Sequence, residues 1–336
     1  MKAKLMFGIL SAFVAVTMFA GASLAQDASY TVSGPHTYKN LSIFLIHGKD
    51  QNTKGNMMTL QEAMERKLFR VYETSEVNEL EVENISKEFD VFIQSGDIVK
   101  GGKQDRILAV SIIIPARSGR VKIEAFCVES GRWEKRGQED SKQFTSSNDR
   151  IVTRDLKIAA NASRSQQEVW SKVSEAQASL SQNVGDSVNG DSESSLQLSL
   201  ENKKVVASVD EYINNLNKVV YTKSTDVIGY AVAINGQISS ADVYVSNSLF
   251  MKLWPKMLRA SATEAVAASR GVRLADPVKA DAIKGFLDES DKAKATERTA
   301  SAGARVVKRE SKDNLMIEAV DEKSKTVVHK SYIKVQ

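Results

Sequence analysis

Gly96, Gly101, Gly102 and Lys103, in the stretch GDIVKGGKQDR (96–106), come close to the spacing of a phosphate-binding P-loop. A P-loop needs its lysine directly after the second glycine, then Ser or Thr for magnesium, then a helix whose N-terminus faces the phosphates. Here an extra glycine shifts Lys103 by one position, Gln104 stands where the hydroxyl is needed, and ILAVSIII (107–114) downstream has strand character. Three requirements fail together, so P-loop chemistry is not expected. What remains is a glycine-permitted turn between strands. It is either a solvated hairpin end, or a place where Gly101 and Gly102 let the backbone approach an anion. In the second reading Lys103 and Arg106 supply charge, with Asp105 beside them.

A second cluster lies in ESGRW, where Glu129, Arg132 and Trp133 fall together at the end of an alternating strand. An arginine beside an aromatic plate can stack a base or sugar. The same residues also suit a tryptophan capping the core next to an Arg–Glu pair. Cys127 shares the apolar face of its strand with Val121, Ile123 and Ala125, so a buried, inert thiol is expected rather than a nucleophile. His36, His47 and His329 show no zinc-binding spacing, and no metal is expected. His329, in VVHKSY, is a candidate site residue or a hydrogen-bonded structural one. Asp242 is an acid inside an otherwise apolar strand. It reads as a general base with a raised pKa, or as a cap for the helix after Ser246.

The elements that must carry these residues are partly legible. YKNLSIFLIHG reads as an opening strand. Thr59 and Glu62 form a capping box, followed by helical periodicity over LQEAMERKLFRVYE, with Glu62 and Arg66 spaced to pair. Residues 77–133 read as several strands, with Leu80 and Val82 on one face and a turn over residues 115–119. Ser165 and Glu168 form a second capping box, and NKKVVASVDEYINNL is a helix. Between them, about 181–198, lies a polar, glycine-containing loop expected to be mobile. Asn235-Gly236 between alternating segments predicts a hairpin. A long amphipathic helix through Leu249, Phe250, Leu253, Trp254, Met257 and Leu258 follows, with Pro255 expected to kink it. Trp170 and Trp254 are expected in the core. Asp276-Pro277 reads as the start of another helix. The tail, NLMIEAVDEKSKTVVHKSYIKV, is a second hairpin similar in outline to the first. Strands and helices without regular alternation indicate an α+β fold: antiparallel strands and hairpins packed with amphipathic helices.

The chain has 336 residues, 42% hydrophobic and 26% charged, which suits an ordinary globular protein. Lys2 and Lys4, an apolar run, and Ser23-Leu24-Ala25 before Gln26 make a secretory signal peptide over residues 1–25. Removing Lys2 and Lys4 takes the net charge from +4 to about +2, which is no footprint for nucleic acid. The only cysteine is Cys127, so no internal disulfide forms. Export without disulfides fits a bacterial periplasm or secretion, with no stable membrane anchor after cleavage.

NELEVEN, GDIVKGGKQDR, CVESGRW, SQQEVW and AINGQISSADVYVSNSLFMKLWPKMLRASATEA together resemble the ARG and rhodanese–phosphatase superfamily-associated protein domain family, a largely uncharacterised one. The resemblance runs from GPHTYKNLSIF to VVHKSY and implies one domain, about 30–336. The family is named for its association with ADP-ribosylglycohydrolases and rhodanese–phosphatase proteins. That implies a role near NAD- or ADP-ribose-derived chemistry. It assigns no catalytic residues and no cofactor. Two function classes follow. One binds or processes a small anionic ligand at a site joining Gly101, Gly102, Lys103, Asp105 and Arg106 to Glu129, Arg132 and Trp133. The other is a non-catalytic interaction or structural module of the cell envelope. A convergent charged pocket separates the first from the second, which requires an exposed apolar patch.

Overall fold

A computed structural model describes residues 30–51, 57–221, 224–269, 276–301, 304–321 and 323–335. The expected signal peptide and its expected cleavage site lie outside the described residues. Among those described, no helix is long and apolar enough to cross a membrane. β1 (Thr31–Tyr38) and β2 (Leu41–His47) open the chain as a hairpin. β3 (Met57–Thr59) leads into α1 (Leu60–Glu65), then come β4 (Phe69–Glu73), β5 (Glu79–Asn84), β6 (Asp90–Ile93) and β7 (Asp97–Gly101). β8 (Arg106–Leu108), β9 (Ile112–Ile114), β10 (Gly119–Cys127) and β11 (Phe144–Arg150) complete the first strand-rich half. The middle is helical: α2 (Arg154–Ile158) running into a π-turn (Ala159–Ser163), α3 (Gln166–Val184), α4 (Leu196–Leu200) and α5 (Lys203–Leu216). β12 (Val227–Ile234), β13 (Gln237–Tyr244), α6 (Asn247–Ala267), α7 (Ala280–Lys292), β14 (Lys294–Thr299), β15 (Arg305–Glu310), β16 (Asn314–Asp321) and β17 (Thr326–Lys334) follow.

The expected α+β class is observed. An eight-stranded sheet runs β1-β2-β12-β13-β17-β16-β15-β14, a six-stranded one β11-β7-β8-β10-β5-β4, and a small one β3-β6-β9. All pairings in the two larger sheets are antiparallel, while β3 and β6 run parallel. The β12–β13 turn is the expected one: Asn235 and Gly236 have φ of 54° and 75°, which a type I′ turn requires. The two hairpins meet edge to edge, β13 pairing with β17, so they build one sheet.

Both faces of that sheet are covered, which explains the unbroken apolar run of β2. Ile43 and Leu45 join the core under α3, α5 and α6, whereas Phe44 and Ile46 join the one under α7. A third cluster, built on Leu80, Val82, Ile123 and Ala125, fills the smaller sheets beneath α1. Helix α6 threads the first core and continues through Pro255. Trp254 is 1% exposed, whereas Trp170 is only half-buried. Cys127 is fully buried, and burial pushes its thiol up to about 11.

Local corrections have clear causes. The helix expected over residues 60–73 stops at Glu65, because Lys67 takes φ 58° and the chain turns into β4. Phe69 and Val71 are buried while Arg70 is exposed, so a strand period underlay the apparent helical one. The capping box at Thr59 is present, but Glu62 pairs with Lys252 rather than Arg66. Ser165 caps the Glu168 amide, the outward half of its box. The helix expected at Asp276-Pro277 begins at Ala280 without a side-chain cap, because Val278 is used to pack on the α7 core. Of the polar loop, residues 181–184 and 196–198 are helical. Between them Val188 is buried, and Gln177 holds the carbonyls of Glu193 and Ser195.

Candidate functional site

The Gly101–Arg106 turn and the 129–133 segment do come together. β8 pairs with the end of β10, placing Arg106 opposite Cys127. Lys103 Nζ and the Arg106 guanidinium lie 5.4 and 5.7 Å from the centre of the Trp133 ring. Trp133 is 44% exposed, so it is a plate between cations and not a core cap. Yet the groups an anion would need are already engaged. The amides of Gly101, Gly102 and Lys103 donate to Asp105, to the Asp140 carbonyl and to Glu73. Arg106 is fully buried and bonds Glu73 and the carbonyls of Glu76 and Val77. Arg132 forks onto Glu129 at 2.8 and 2.6 Å, and Arg136 onto Asp105 at 3.0 and 3.2 Å. Ser195, from the polar loop, adds a bond to Asp105. Burial pushes Asp105 up despite Arg136. For Glu129 burial also pushes upward, but Arg132 and Ser192 outweigh it and hold the carboxyl below its ordinary value. The glycines serve packing: a Cβ on Gly102, at φ 59°, would stand 2.4 Å from the Phe144 ring. Of the eight nominated residues, Arg132 lines an open groove shared with Arg136 and the 191–194 segment.

A more enclosed cavity, about 240 Å³, lies where the C-terminal half of the large sheet meets the loop after β6, the 109–111 segment, the end of β11 and the π-turn. Its wall carries Ser95, Ser111, Arg150, Lys157, Asn161, Arg164, Thr296, Glu297, Arg298, Lys308, His329 and Ser331. Here His329 and Asp242, flagged separately by their sequence context, are joined. His329 Nε2 is 2.9 Å from Asp242 Oδ1, and its Nδ1 is 2.9 Å from Ser111 Oγ. All three are buried, at 3%, 2% and 5% exposure. The imidazole stacks on Tyr244 at 4.9 Å, which fixes the plane of the ring. Ser111 Oγ also accepts from the Ser95 amide at 3.0 Å.

The pKa expected for Asp242 is reversed. Burial does push it up, but the bond and charge of His329, with Arg150 and Lys157 behind, outweigh burial and hold it down at about 2. It is a carboxylate, and the helix cap after β13 is Ser246. A carboxylate only accepts, so Nε2 of His329 carries a hydrogen. In the neutral ring Nδ1 is then an acceptor, and Ser111 donates to it.

Cations dominate the rest of the wall. Arg150 is buried, donates from Nη2 to the Ser95 carbonyl at 2.7 Å, and keeps its Nε–H without a partner. Lys157 bonds Glu264 and Ser240, both at 3.1 Å. At the mouth Arg298 and Arg164 share one carboxylate, Glu124, with contacts of 2.8 Å each, while Lys308 pairs with Glu310 and Glu297 also lines the wall.

The sequence profile of the ARG and Rhodanese-Phosphatase-superfamily-associated Protein domain matches residues 29–333. The chain belongs to this family. The match covers both the turn and the cavity, and every strand of the large sheet up to β17. No curated protein and no solved structure matches the chain significantly. Ser111 and Arg150 are the residues of this family member that sequence reasoning missed. Ser111 sits inside ILAVSIII, where a lone polar residue in an apolar run is the sole signal.

Proposed function

We propose that this family member is an exported bacterial protein, periplasmic or secreted, that binds a small phosphate-bearing ligand in the cavity beside His329. The observation that carries this is the set of basic side chains on the cavity wall, Arg150, Lys157, Arg164, Arg298 and Lys308, against one acidic one, Glu297. Arg164, Arg298 and Lys308 also line it, held by Glu124 and Glu310, so an anion there would compete with these pairs. The volume, about 240 Å³, is below the usual range of roughly 300–1,000 Å³ for whole drug-sized ligands. It suits a sugar phosphate, or one end of an ADP-ribose-type molecule, the ligand class suggested by the family's association. The interaction-module reading has less support: among the described residues the large exposed apolar side chains are Val77, Trp133 and Tyr221, too few for a docking patch.

Calorimetric titration with ribose 5-phosphate, ADP-ribose and inorganic phosphate tests this. Lys308→Ala and Arg298→Ala should each weaken binding roughly 5- to 100-fold, the scale of a lost charge-assisted hydrogen bond. Lys103→Ala is the comparator. Weakening by Lys103→Ala alone would move the ligand to the Gly101–Arg106 turn, and no binding of any of the three would overturn the proposal.

A further inference from the structure

We infer that Ser111, His329 and Asp242 form a nucleophilic triad that hydrolyses a short acyl ester carried by a small anionic alcohol. The inference rests on the ligand-binding reading of the same cavity. Its basis is the unbroken relay from the Ser111 hydroxyl through both imidazole nitrogens to a buried carboxylate, with Ser111 and His329 on the cavity wall. A weak hydroxyl becomes a nucleophile when an adjacent base takes its proton and a third group orients that base. In the chymotrypsin-type arrangement Nε2 faces the serine and Nδ1 the aspartate. Here the ring is turned over, and the two nitrogens exchange roles while the relay keeps its direction. The Tyr244 stack and the Asp242 bond together prevent the ring from swinging away.

The steps balance. Ser111 Oγ attacks the ester carbonyl carbon as its proton passes to His329 Nδ1. The carbonyl π pair moves onto oxygen, whose developing negative charge the Arg150 guanidinium on the same cavity wall offsets. The C–O bond to the alcohol then breaks, and the leaving oxygen takes the proton from Nδ1. Water, activated by the same nitrogen, attacks the acyl-serine and releases the acid, restoring the hydroxyl. The net reaction is ester plus water to acid plus alcohol. The Ser95 amide, 3.0 Å from Oγ, favours the oxygen as negative charge develops on it. Asp242 touches no substrate and acts as a positioning residue. The cationic mouth selects the anionic alcohol portion.

The test is covalent labelling of the folded full-length protein with a fluorophosphonate, which phosphonylates activated serines, followed by peptide mass mapping. The adduct is expected on Ser111. Ser111→Ala should abolish it, and His329→Gln should slow it by at least about 10³-fold, the scale for losing one triad member. Hydrolysis of p-nitrophenyl acetate should fall in parallel. Asp242→Asn should lower kcat while leaving KM within about twofold, which a purely structural role does not produce. No Ser111 adduct on the folded wild-type protein, or hydrolysis unchanged in Ser111→Ala, overturns the triad. Phosphate titration of the same wild-type protein separates the two proposals. Binding without labelling removes the triad and leaves the pocket, whereas labelling without binding removes the anionic selection and leaves the triad.

Discussion

Asp242 is a carboxylate shut away from water among His329, Arg150 and Lys157, and its charge state is linked to folding. Its folded value, about 2, lies below the ordinary 3.8, so between those values the unfolded chain takes the proton more readily. Its stabilising contribution is therefore complete above about pH 4 and is lost as pH falls through 4 towards 2. The shift corresponds to roughly 2 kcal/mol at 1.36 kcal/mol per unit. Urea unfolding measured between pH 5 and 2 checks this. Other carboxylates titrate over the same range, so the readout is a difference: stability of Asp242→Asn should fall less steeply than that of the wild type. Equal slopes would mean that the cations around Asp242 do not hold its proton affinity down. Asp105 follows the opposite sign, since burial raises it, so it cannot produce the same steepening.

The elements around the cavity are tied by charges that helix α6 sends into the interior. Lys256 reaches Asp97 at the start of β7, Arg259 reaches Asp149 on β11, and Glu264 takes Lys157 of α2, the Arg154 amide and Ser239 of β13. Glu264 thus joins three elements at a site 6% exposed. Removing it alone leaves Lys157 buried without its partner, which is destabilising by about 3–5 kcal/mol, whereas apolar replacement of both can approach neutrality. Glu264→Ala should therefore destabilise far more than the Lys157→Met/Glu264→Leu pair, measured by urea unfolding. A double variant as unstable as the single one would show that the pair is not a coupled unit. This wiring also marks what sequence reading could reach. The hairpin at Asn235-Gly236 and the caps at Thr59 and Ser165 are local, so a few neighbouring residues specify them. The α1–β4 boundary was not legible, since Phe69 and Val71 fit both periods and tertiary pairing with β5 decided. The Ser111–His329–Asp242 hydrogen-bonded cluster is non-local: Ser111 and His329 are 218 positions apart and Asp242 and His329 are 87 apart. Register decides their meeting, since β13 and β17 place Tyr244 opposite His329 and Asp242 opposite Ser331. Asp242 and His329 stood out singly as polar residues in apolar strands. Their partnership needed the pairing of two hairpins, which no local pattern encodes.

At the scale of the whole molecule, the start of the folded body can be set against the export signal expected from the sequence. The apolar run and the Ser23-Leu24-Ala25 site predict a mature chain starting at Gln26. The fold can accept that cut. Tyr30 is 6% exposed in the core under α7, its ring 5.9 Å from Lys330 Nζ, and β1 starts at Thr31. Cleavage after Ala25 removes the signal and spares every one of these contacts. N-terminal sequencing of protein recovered from the periplasm or medium of a bacterial host should read from Gln26. Recovery of the chain intact from Met1 in the inner membrane would overturn this. The position of the cut has its own physical check. A chain started at Gln26 should unfold at the same temperature as the processed protein. One started at Gly34 should unfold earlier, because it lacks Tyr30 and the strand residues Thr31 to Ser33 that pair with His47 to Leu45. Burying an aromatic side chain contributes about 1.5–3 kcal/mol, so the shift is several degrees even before the lost pairing is added. Equal melting of the two chains would place the start of the fold later than β1.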